Sequence, residues 1–306
     1  MDALEAAPRG TARVVDDETW PALVATLREA PALRLLLDYD GTLVPFSARP
    51  GDAAPDDALR ALLSRVAARP NTEVHLVSGR RHEELAAWFG DLDLGLHGEH
   101  GLWSRPRPHL SWRSATIADP QALSAAIAVL ERFAARVPGV LLERKSAGMA
   151  WHWRGADPEV AGWQARELYA HLRHELAGTS LSVLPGDHVI EVRPSGVHKG
   201  RVAAAMALEA DADTLFVAIG DDVTDVDLFA GLPPNGVAIA VGPRPAGAQW
   251  RVSTHAEVRR LLEALAAPVA APRPPARTPV PHETAPARPS WWRRLLGGRG
   301  RVALQR

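Results

Sequence analysis

The stretch Leu35-Leu36-Leu37-Asp38-Tyr39-Asp40-Gly41-Thr42-Leu43 decides how the rest of the chain is read. An apolar run of strand length begins at Leu33 and ends in two carboxylates one residue apart, followed by a glycine. A short apolar run closed by a turn signal reads as a buried strand. Residues i and i+2 of a strand share a face, so Asp38 and Asp40 can project into one site where the strand ends. In open α/β sheets, ligands bind at that end. Asp and Gly are also ordinary turn residues, so the stretch in isolation fits a surface turn equally well. The surrounding pattern decides between the two.

Around it, helical and strand patterns alternate. Asp16 or Asp17 can cap a helix running to about Glu29. A loop rich in Pro, Gly and small residues (44–55) follows the acidic stretch. An amphipathic helix then begins at Asp56, with Leu59, Leu62, Leu63 and Val66 on one face. A strand at Thr72–Val77 leads into Ser78-Gly79-Arg80, and His82–Phe89 reads as a short helix. A third strand at 92–96 ends in His97-Gly98-Glu99-His100-Gly101. Such alternation predicts a parallel sheet with right-handed crossovers.

From about residue 106 the pattern changes. Helices are expected near 119–137 and 157–177. Strand-like runs lie at 140–145, 150–154, 181–184 and 188–193. The links Ser146-Ala147-Gly148 and Pro185-Gly186-Asp187 favour antiparallel pairing. The first pattern then resumes: a helix at 198–208, a strand at 214–219 ending in Gly220-Asp221-Asp222-Val223-Thr224-Asp225, a strand at 236–241 and a helix at 256–266. The expected organisation is a lead-in (1–16), a discontinuous core (17–105 and 195–267) and an inserted α+β domain (106–194). Eight of the 22 residues from Pro268 to Pro289 are proline, the composition of a linker or disordered tail, here 268–306. The tail carries eight arginines against one glutamate, with Trp291, Trp292, Leu295 and Leu296 among them. A solubilising extension fits this composition, and so does a contact with an anionic surface or a protein partner.

Composition narrows the function classes. A chain of 306 residues that is 46% hydrophobic can bury one large core or two smaller ones. A net charge of -1 gives no electrostatic reason to expect nucleic acid. The absence of cysteine excludes disulfides, thiolate metal sites and thiol nucleophiles. The opening residues lack a basic region followed by an apolar stretch, and no run reaches the roughly 18 apolar residues of a membrane span. A soluble cytoplasmic protein is therefore expected. Of 35 basic residues only Lys145 and Lys199 are lysine. The two cations differ in geometry and hydration, so these two positions are informative.

A parallel sheet would gather four chain segments on one edge: Asp38 and Asp40, Ser78 and Gly79, Lys199 at a helix start, and Asp221, Asp222 and Asp225. That set suits phosphoryl transfer through a carboxylate nucleophile. A phosphate ester repels a bare carboxylate, and a divalent cation held by a few carboxylates removes the obstacle, which is the Mg²⁺ pattern. Asp38 can attack. Asp40 can protonate the leaving oxygen and then activate water. Ser78, Lys199 and backbone N–H groups near Gly79 can hold phosphoryl oxygens.

The same residues resemble the haloacid dehalogenase superfamily of phosphatases, with its Asp-x-Asp-Gly-Thr motif, a Ser/Thr after the second strand, a Lys before a core helix and a late acidic motif, all here in the family's order. Gly220-Asp221-Asp222-Val223-Thr224-Asp225 looks like the Gly-Asp-Asp-x-Thr-Asp motif of trehalose-phosphatases. Glu143-Arg144-Lys145, Trp151-His152-Trp153-Arg154 and Glu191-Val192-Arg193-Pro194 resemble that family's cap motifs, with Trp153 in place of the usual tyrosine. The resemblance covers about residues 33–260. It implies an α/β fold: a Rossmann-like parallel-sheet haloacid dehalogenase core with an inserted α+β cap domain. It implies Mg²⁺ held by the Asp38 carboxylate, the Asp40 backbone carbonyl and Asp221, with Asp222 and Asp225 ordering the site. Gly41, Thr42, Ser78, Gly79, Arg80 and Lys199 would surround the phosphate. Glu143, Lys145 and Glu191 would meet sugar hydroxyls, with His152 and Arg154 supporting.

The split of these cap strands into apolar and polar faces also follows from strand geometry alone. A solvated face of ion pairs has the same pattern. The implied function is Mg²⁺-dependent hydrolysis of trehalose 6-phosphate to trehalose and phosphate through an aspartyl-phosphate, the last step of trehalose biosynthesis. The core motifs alone fit equally a phosphatase of a sucrose-phosphate or glucosylglycerol-phosphate type. A non-catalytic phosphosugar sensor fits less well, since it would be expected to have lost Asp38, Asp40 or Asp221.

Overall fold

The computed structural model describes residues 12–47, 52–108 and 110–268. The tail expected over 269–306 and most of the lead-in lie outside the described residues. The described residues up to Ala267 form one compact unit.

Two sheets organise the described residues. The strands of the first are β1 (Arg13–Val14), β2 (Ala32–Leu37), β3 (Thr72–Val77), β4 (Gly95–Gly98), β5 (Trp103–Arg105), β6 (Arg113–Ser114), β11 (Thr214–Gly220), β12 (Val237–Val241) and β13 (Trp250–Val252). Their spatial order is β1-β13-β12-β11-β2-β3-β4-β5-β6. Pairing is parallel from β1 to β4 and antiparallel from β4 to β6. The second sheet, β7 (Leu141–Arg144), β8 (Met149–His152), β9 (Leu181–Gly186) and β10 (Val189–Pro194), is antiparallel in the order β7-β8-β10-β9. It lies in the chain between β6 and β11, so the first sheet is completed only after it. The fold is thus α/β around a mostly parallel sheet.

Period-2 alternation explains why the central strands read as unbroken apolar runs: both faces are buried. Leu35, Leu37, Val217 and Ile219 face one layer, made by helices α1 (Trp20–Glu29), α2 (Asp57–Ala67), α3 (His82–Phe89) and α8 (His255–Ala266). Leu36, Phe216 and Ala218 face the other, where α6 (Lys199–Leu208) and α7 (Val223–Ala230) pack through Val202, Ala203, Met206, Leu228 and Phe229. Helices α4 (Pro120–Ala134) and α5 (Pro158–Glu175) cover the second sheet, and Trp151, Ile190 and Val192 bury against them. β2 is flanked by β3 on one side and β11 on the other. The strand order reverses there, so the carboxyl end of β2 opens at a topological switch point.

Several elements differ from expectation. β4 starts at Gly95 rather than 92, because Leu92 and Leu94 close a turn on Phe89 and Leu92. α1 starts at Trp20; Asp16 instead binds Thr19, whose N–H and hydroxyl both donate to its Oδ1 at 2.9 and 2.8 Å. β1 falls within the expected lead-in and β6 within the expected insertion, yet both join the first sheet. No helix among the described residues is long and apolar enough to cross a membrane.

A buried histidine pair in the first sheet makes stability depend on pH. His75 Nδ1 and His97 Nε2 lie 3.2 Å apart, and His97 Nδ1 lies 3.0 Å from Ser104 Oγ. Burial depresses both imidazoles, and that of His97 falls further beside His75. Their folded pKa values lie below the unfolded one, so stability is full above about pH 6.5 and is lost below it. Denaturation midpoints are expected to fall as pH drops from about 6.5, by up to roughly 1.4 kcal/mol per pH unit for each histidine. His97→Gln should flatten that slope, and an unchanged slope would contradict the assignment.

Candidate active site

β2 extends past Leu37 through the Asp38 N–H, which donates to the Ile219 carbonyl at 2.9 Å. Alternation then sends Asp38 and Asp40 to one side and Tyr39 to the other. Tyr39 is fully buried. Its hydroxyl donates to the Ala53 carbonyl at 2.6 Å, and its ring meets Trp88 and Phe89. This core residue anchors the strand end that carries the two acids. The chain then turns at Gly41, whose φ is +79°. A Cβ there would lie 2.4 Å from an Asp221 carboxylate oxygen, so glycine is needed for both conformation and clearance.

Lys199 organises the acids. From the first turn of α6 its Nζ donates to Asp38 Oδ1 at 2.6 Å and to Asp225 Oδ1 at 2.8 Å. Asp225 Oδ2 accepts the N–H groups of Asp221 and Asp222, each at 3.0 Å. The Thr42 hydroxyl donates to Asp221 Oδ1 at 3.1 Å. Asp38, Asp221, Asp225 and Lys199 are all buried. Burial and the charge of Asp225 push the Asp38 carboxyl well above its usual range and raise that of Asp221 to about 7. Burial alone would depress the Lys199 ammonium; Asp225 and Asp38 raise it instead.

Burial is the larger cause of the raised carboxyls, and crowding adds to it. Three carboxylates stand around one ammonium, which bonds Asp38 and Asp225, so the site lacks positive charge. Oxygen atoms of Asp38, Asp221 and Asp225 lie within 4.8 Å of one another. Closely set hard oxygen donors with excess negative charge suit a small divalent cation.

The second strand end adds Ser78, whose Oγ accepts the Arg80 N–H at 3.1 Å. Arg80 grips Asp40 with two hydrogen bonds, Nε to Oδ2 at 2.7 Å and Nη2 to Oδ1 at 2.6 Å, and its guanidinium lies over Trp88.

The polar face of the second sheet closes over these strand ends. Pairing aligns Glu143 and Glu191 across Ala150, so the three share that face. Lys145 Nζ lies 3.1 Å from Glu191 Oε1 and donates to the Gly79 carbonyl at 3.0 Å. His152 Nε2 lies 2.7 Å from Glu143 Oε2. Burial alone would raise the glutamates. Lys145 and His100 hold Glu191 well below its usual range, and Lys145 and His152 lower Glu143. Arg154 pairs instead with Asp187 on the β9–β10 turn. Asp38, Asp40, Ser78, Gly79, Arg80, Lys199 and Asp222 line one cavity with Glu143, Lys145, His152, Arg154 and Glu191. Gly41, Thr42, Asp221 and Asp225 stand behind its floor through the contacts above.

Three contributors had no sequence marker. His100 Nε2 lies 3.1 Å from Glu191 Oε2, and burial lowers the imidazole to about 4. The ring fits because Gly79 has no Cβ; one there would lie 2.9 Å from it. Glu99 Oε2 accepts the Ser146 N–H and hydroxyl at 3.0 and 2.7 Å, tying the β7–β8 turn to the first sheet. Arg244 Nη1 reaches Asp187 at 3.0 Å. The run His97-Gly98-Glu99-His100-Gly101 held two of the three, but nothing in it showed which side chains turn inward.

A family model described as trehalose-phosphatase matches residues 36–260. A bifunctional trehalose-6-phosphate synthase/phosphatase of Thermoproteus tenax is 42% identical over 256 residues, covering 84% of this chain and 35% of the relative. The chain thus spans about a third of that protein's length. The C-terminal domain of the C. albicans trehalose-6-phosphate phosphatase superposes with a TM-score of 0.77 at 26% identity, covering 84% of this chain and 98% of that one. At the level of fold, a haloacid dehalogenase-like hydrolase from Bacteroides thetaiotaomicron superposes with a TM-score of 0.57 at 15% identity, covering 76% of this chain and 98% of that one.

Proposed function

Because this chain belongs to the trehalose-phosphatase family, we propose that it hydrolyses trehalose 6-phosphate to trehalose and phosphate. One observation carries the reading: a carboxylate site suited to phosphoryl transfer and a row of buried and half-buried polar side chains line the same cavity. The first fits a phosphate. The second offers carboxylates and cations, which suit sugar hydroxyls that both donate and accept. The domains follow from this: residues 17–105 and 195–267 act as the core, joined by β1 and β6, and the α+β segment within 106–194 acts as a cap.

Asp38 attacks phosphorus while Asp40 gives a proton to the sugar oxygen. The phosphorus–sugar bond breaks, trehalose leaves as the alcohol, and the phosphoryl group stays on Asp38. Asp40 then takes a proton from water, whose oxygen attacks phosphorus. The bond to Asp38 breaks and phosphate is released. Each oxygen of Asp40 keeps a second acceptor position beside its bond from Arg80, so proton transfer needs no rupture of that pair. Lys199, Ser78 and the backbone near Gly79 hold the phosphoryl oxygens. Asp38 and Asp221 would hold Mg²⁺, which when bound supplies positive charge against the phosphate and the buried acids. Asp225 is taken up by Lys199 and two N–H groups and orders the site.

The polar row makes its own prediction. Glu191→Ala or Glu143→Ala is expected to cut kcat/KM for trehalose 6-phosphate roughly 100-fold, since a site built to bond hydroxyls is left with unpaired groups. The loss on a small aryl phosphate should be much smaller. Steady-state kinetics on both substrates checks this, and equal losses would argue against a cap that reads sugar.

A further inference from the structure

A second group of metal-ligating side chains gathers where the first turn of α3 meets the end of β4. His82 opens α3, Glu83 follows it, and Glu99 comes directly after β4. One ligand atom from each of the three lies within 4.8 Å of the others. His82 Nδ1 stands 3.2 Å from Glu83 Oε2 and 3.5 Å from Glu99 Oε1. None of the three lines the cavity described above.

Two of these atoms are left over. The Glu99 side chain is 4% exposed, and its Oε2 is taken up by Ser146. Its Oε1 is buried and has no hydrogen-bond partner among the described residues, and the same holds for His82 Nδ1. Buried polar atoms left in this way are costly and call for a partner. Packing fixes the ring that carries Nδ1. It stacks on Trp103 with centroids 4.4 Å apart, and it meets the Trp112 ring at 5.2 Å and a steep angle. A protonated imidazole between two carboxylates would hydrogen-bond to at least one of them, yet neither contact has hydrogen-bond geometry.

The spacing suits a metal ion. Tetrahedral zinc binds imidazole nitrogen and carboxylate oxygen at about 2.0–2.2 Å, which sets its ligand atoms about 3.3–3.6 Å apart. The separations of 3.2 and 3.5 Å are close to that. A nitrogen donor favours Zn²⁺ or Co²⁺ over Mg²⁺ and Ca²⁺, which prefer oxygen alone. Two carboxylates balance the charge of a dication. The Glu83 side chain is 51% exposed, so the ion has a path from solvent and room for water as a further ligand. The far oxygen of each carboxylate is held from outside, Glu83 Oε1 by Arg81 Nη2 at 3.1 Å and Glu99 Oε2 by Ser146. Such bonds orient the carboxylates that ligate metals.

The geometry points to a second divalent-cation site, of the Zn²⁺ type, formed by His82 Nδ1, Glu83 Oε2 and Glu99 Oε1 with water completing the shell. It differs from the Asp38–Asp221 site in place and in donor set, and it does not depend on the function proposed above. Because Glu99 also clasps the β7–β8 turn, the ion fixes a carboxylate that ties the second sheet to the first.

The test titrates Zn²⁺ into the full chain in excess Mg²⁺, by calorimetry, for the wild type and the H82Q, E83Q and H171Q variants. His171 stands 4.0 Å from Glu175 on the exposed face of α5 and controls for adventitious surface binding. H82Q and E83Q are each expected to lose one equivalent of tight Zn²⁺ binding, weakened about 100-fold or more, beyond the roughly 10- to 100-fold cost of losing a supporting partner. H171Q should bind as the wild type does. Co²⁺ should give the visible absorption of a tetrahedral nitrogen–oxygen site in the wild type and not in H82Q. Thermal midpoints without Zn²⁺ establish that each variant is folded. E83Q, altered at an exposed side chain, keeps the test valid if H82Q is not. Zn²⁺ binding by a folded H82Q or E83Q with the stoichiometry and affinity of the wild type would overturn the site, as would an equal loss in H171Q.

Discussion

Replacing Asp38 by asparagine is expected to lower kcat for phosphate release by about 10⁴-fold or more, the scale seen when a covalent nucleophile is lost. The amide is nearly isosteric and can still accept from Lys199, so fold and substrate binding should persist. An amide nitrogen cannot attack phosphorus, and its oxygen is a poor nucleophile. The loss should therefore fall on kcat, with KM little changed. Rapid quench of the wild type with labelled substrate should yield protein-bound phosphate that D38N lacks. Retained turnover in D38N, or equal labelling of both proteins, would contradict the nucleophile assignment.

Lys199→Met should be the most damaging change to stability and should also lower the rate. It removes the single ammonium shared by Asp38 and Asp225, whose side chains are 7% and 0% exposed. Leaving a buried charge without its partner costs about 3–5 kcal/mol. Loss of a preorganised cation at the phosphoryl oxygens costs about 10²–10³-fold in kcat. The sign of the pH effect follows from the raised carboxyls: without the lysine they take up protons more readily, so the stability deficit should shrink as pH falls. Chemical denaturation across pH 5 to about pH 8 checks this. A variant with wild-type stability at neutral pH would show that the Lys199 bridge carries little of the fold's energy.

The features most legible in the sequence rest on local rules. Leu35–Leu37 followed by Asp38 and Asp40 showed the strand and its functional end, because alternation and the switch-point rule need only neighbouring residues. The polar faces of β7, β8 and β10 were legible for the same reason. Contacts made between distant segments were not. The Glu99 clasp on Ser146, the His100 contact to Glu191 and the Arg244 pair with Asp187 each join residues more than 45 positions apart in the chain. Glu99 and His100 also adopt φ of +50° and +59°, which no glycine announces. Helix α7 is a different case. Asp222 and Asp225 have the spacing of a capping box, and the Asp225 carboxylate does accept the Asp222 N–H. Reading both acids only as site residues hid the helix that they begin. The strands β1 and β13, two and three residues long, are too short for periodicity to register.

The most direct test is phosphate release by the full chain from trehalose 6-phosphate, set beside sucrose 6-phosphate, glucosylglycerol phosphate and glucose 6-phosphate, with Mg²⁺ and with Mg²⁺ chelated. The expected result is a kcat/KM for trehalose 6-phosphate at least about tenfold above the others, a gap of roughly 1.4 kcal/mol in transition-state binding, that is lost on chelation. No release from trehalose 6-phosphate, or equal rates across the panel, would contradict a trehalose 6-phosphate phosphatase built on Asp38 and the Glu143–Lys145–Glu191 row.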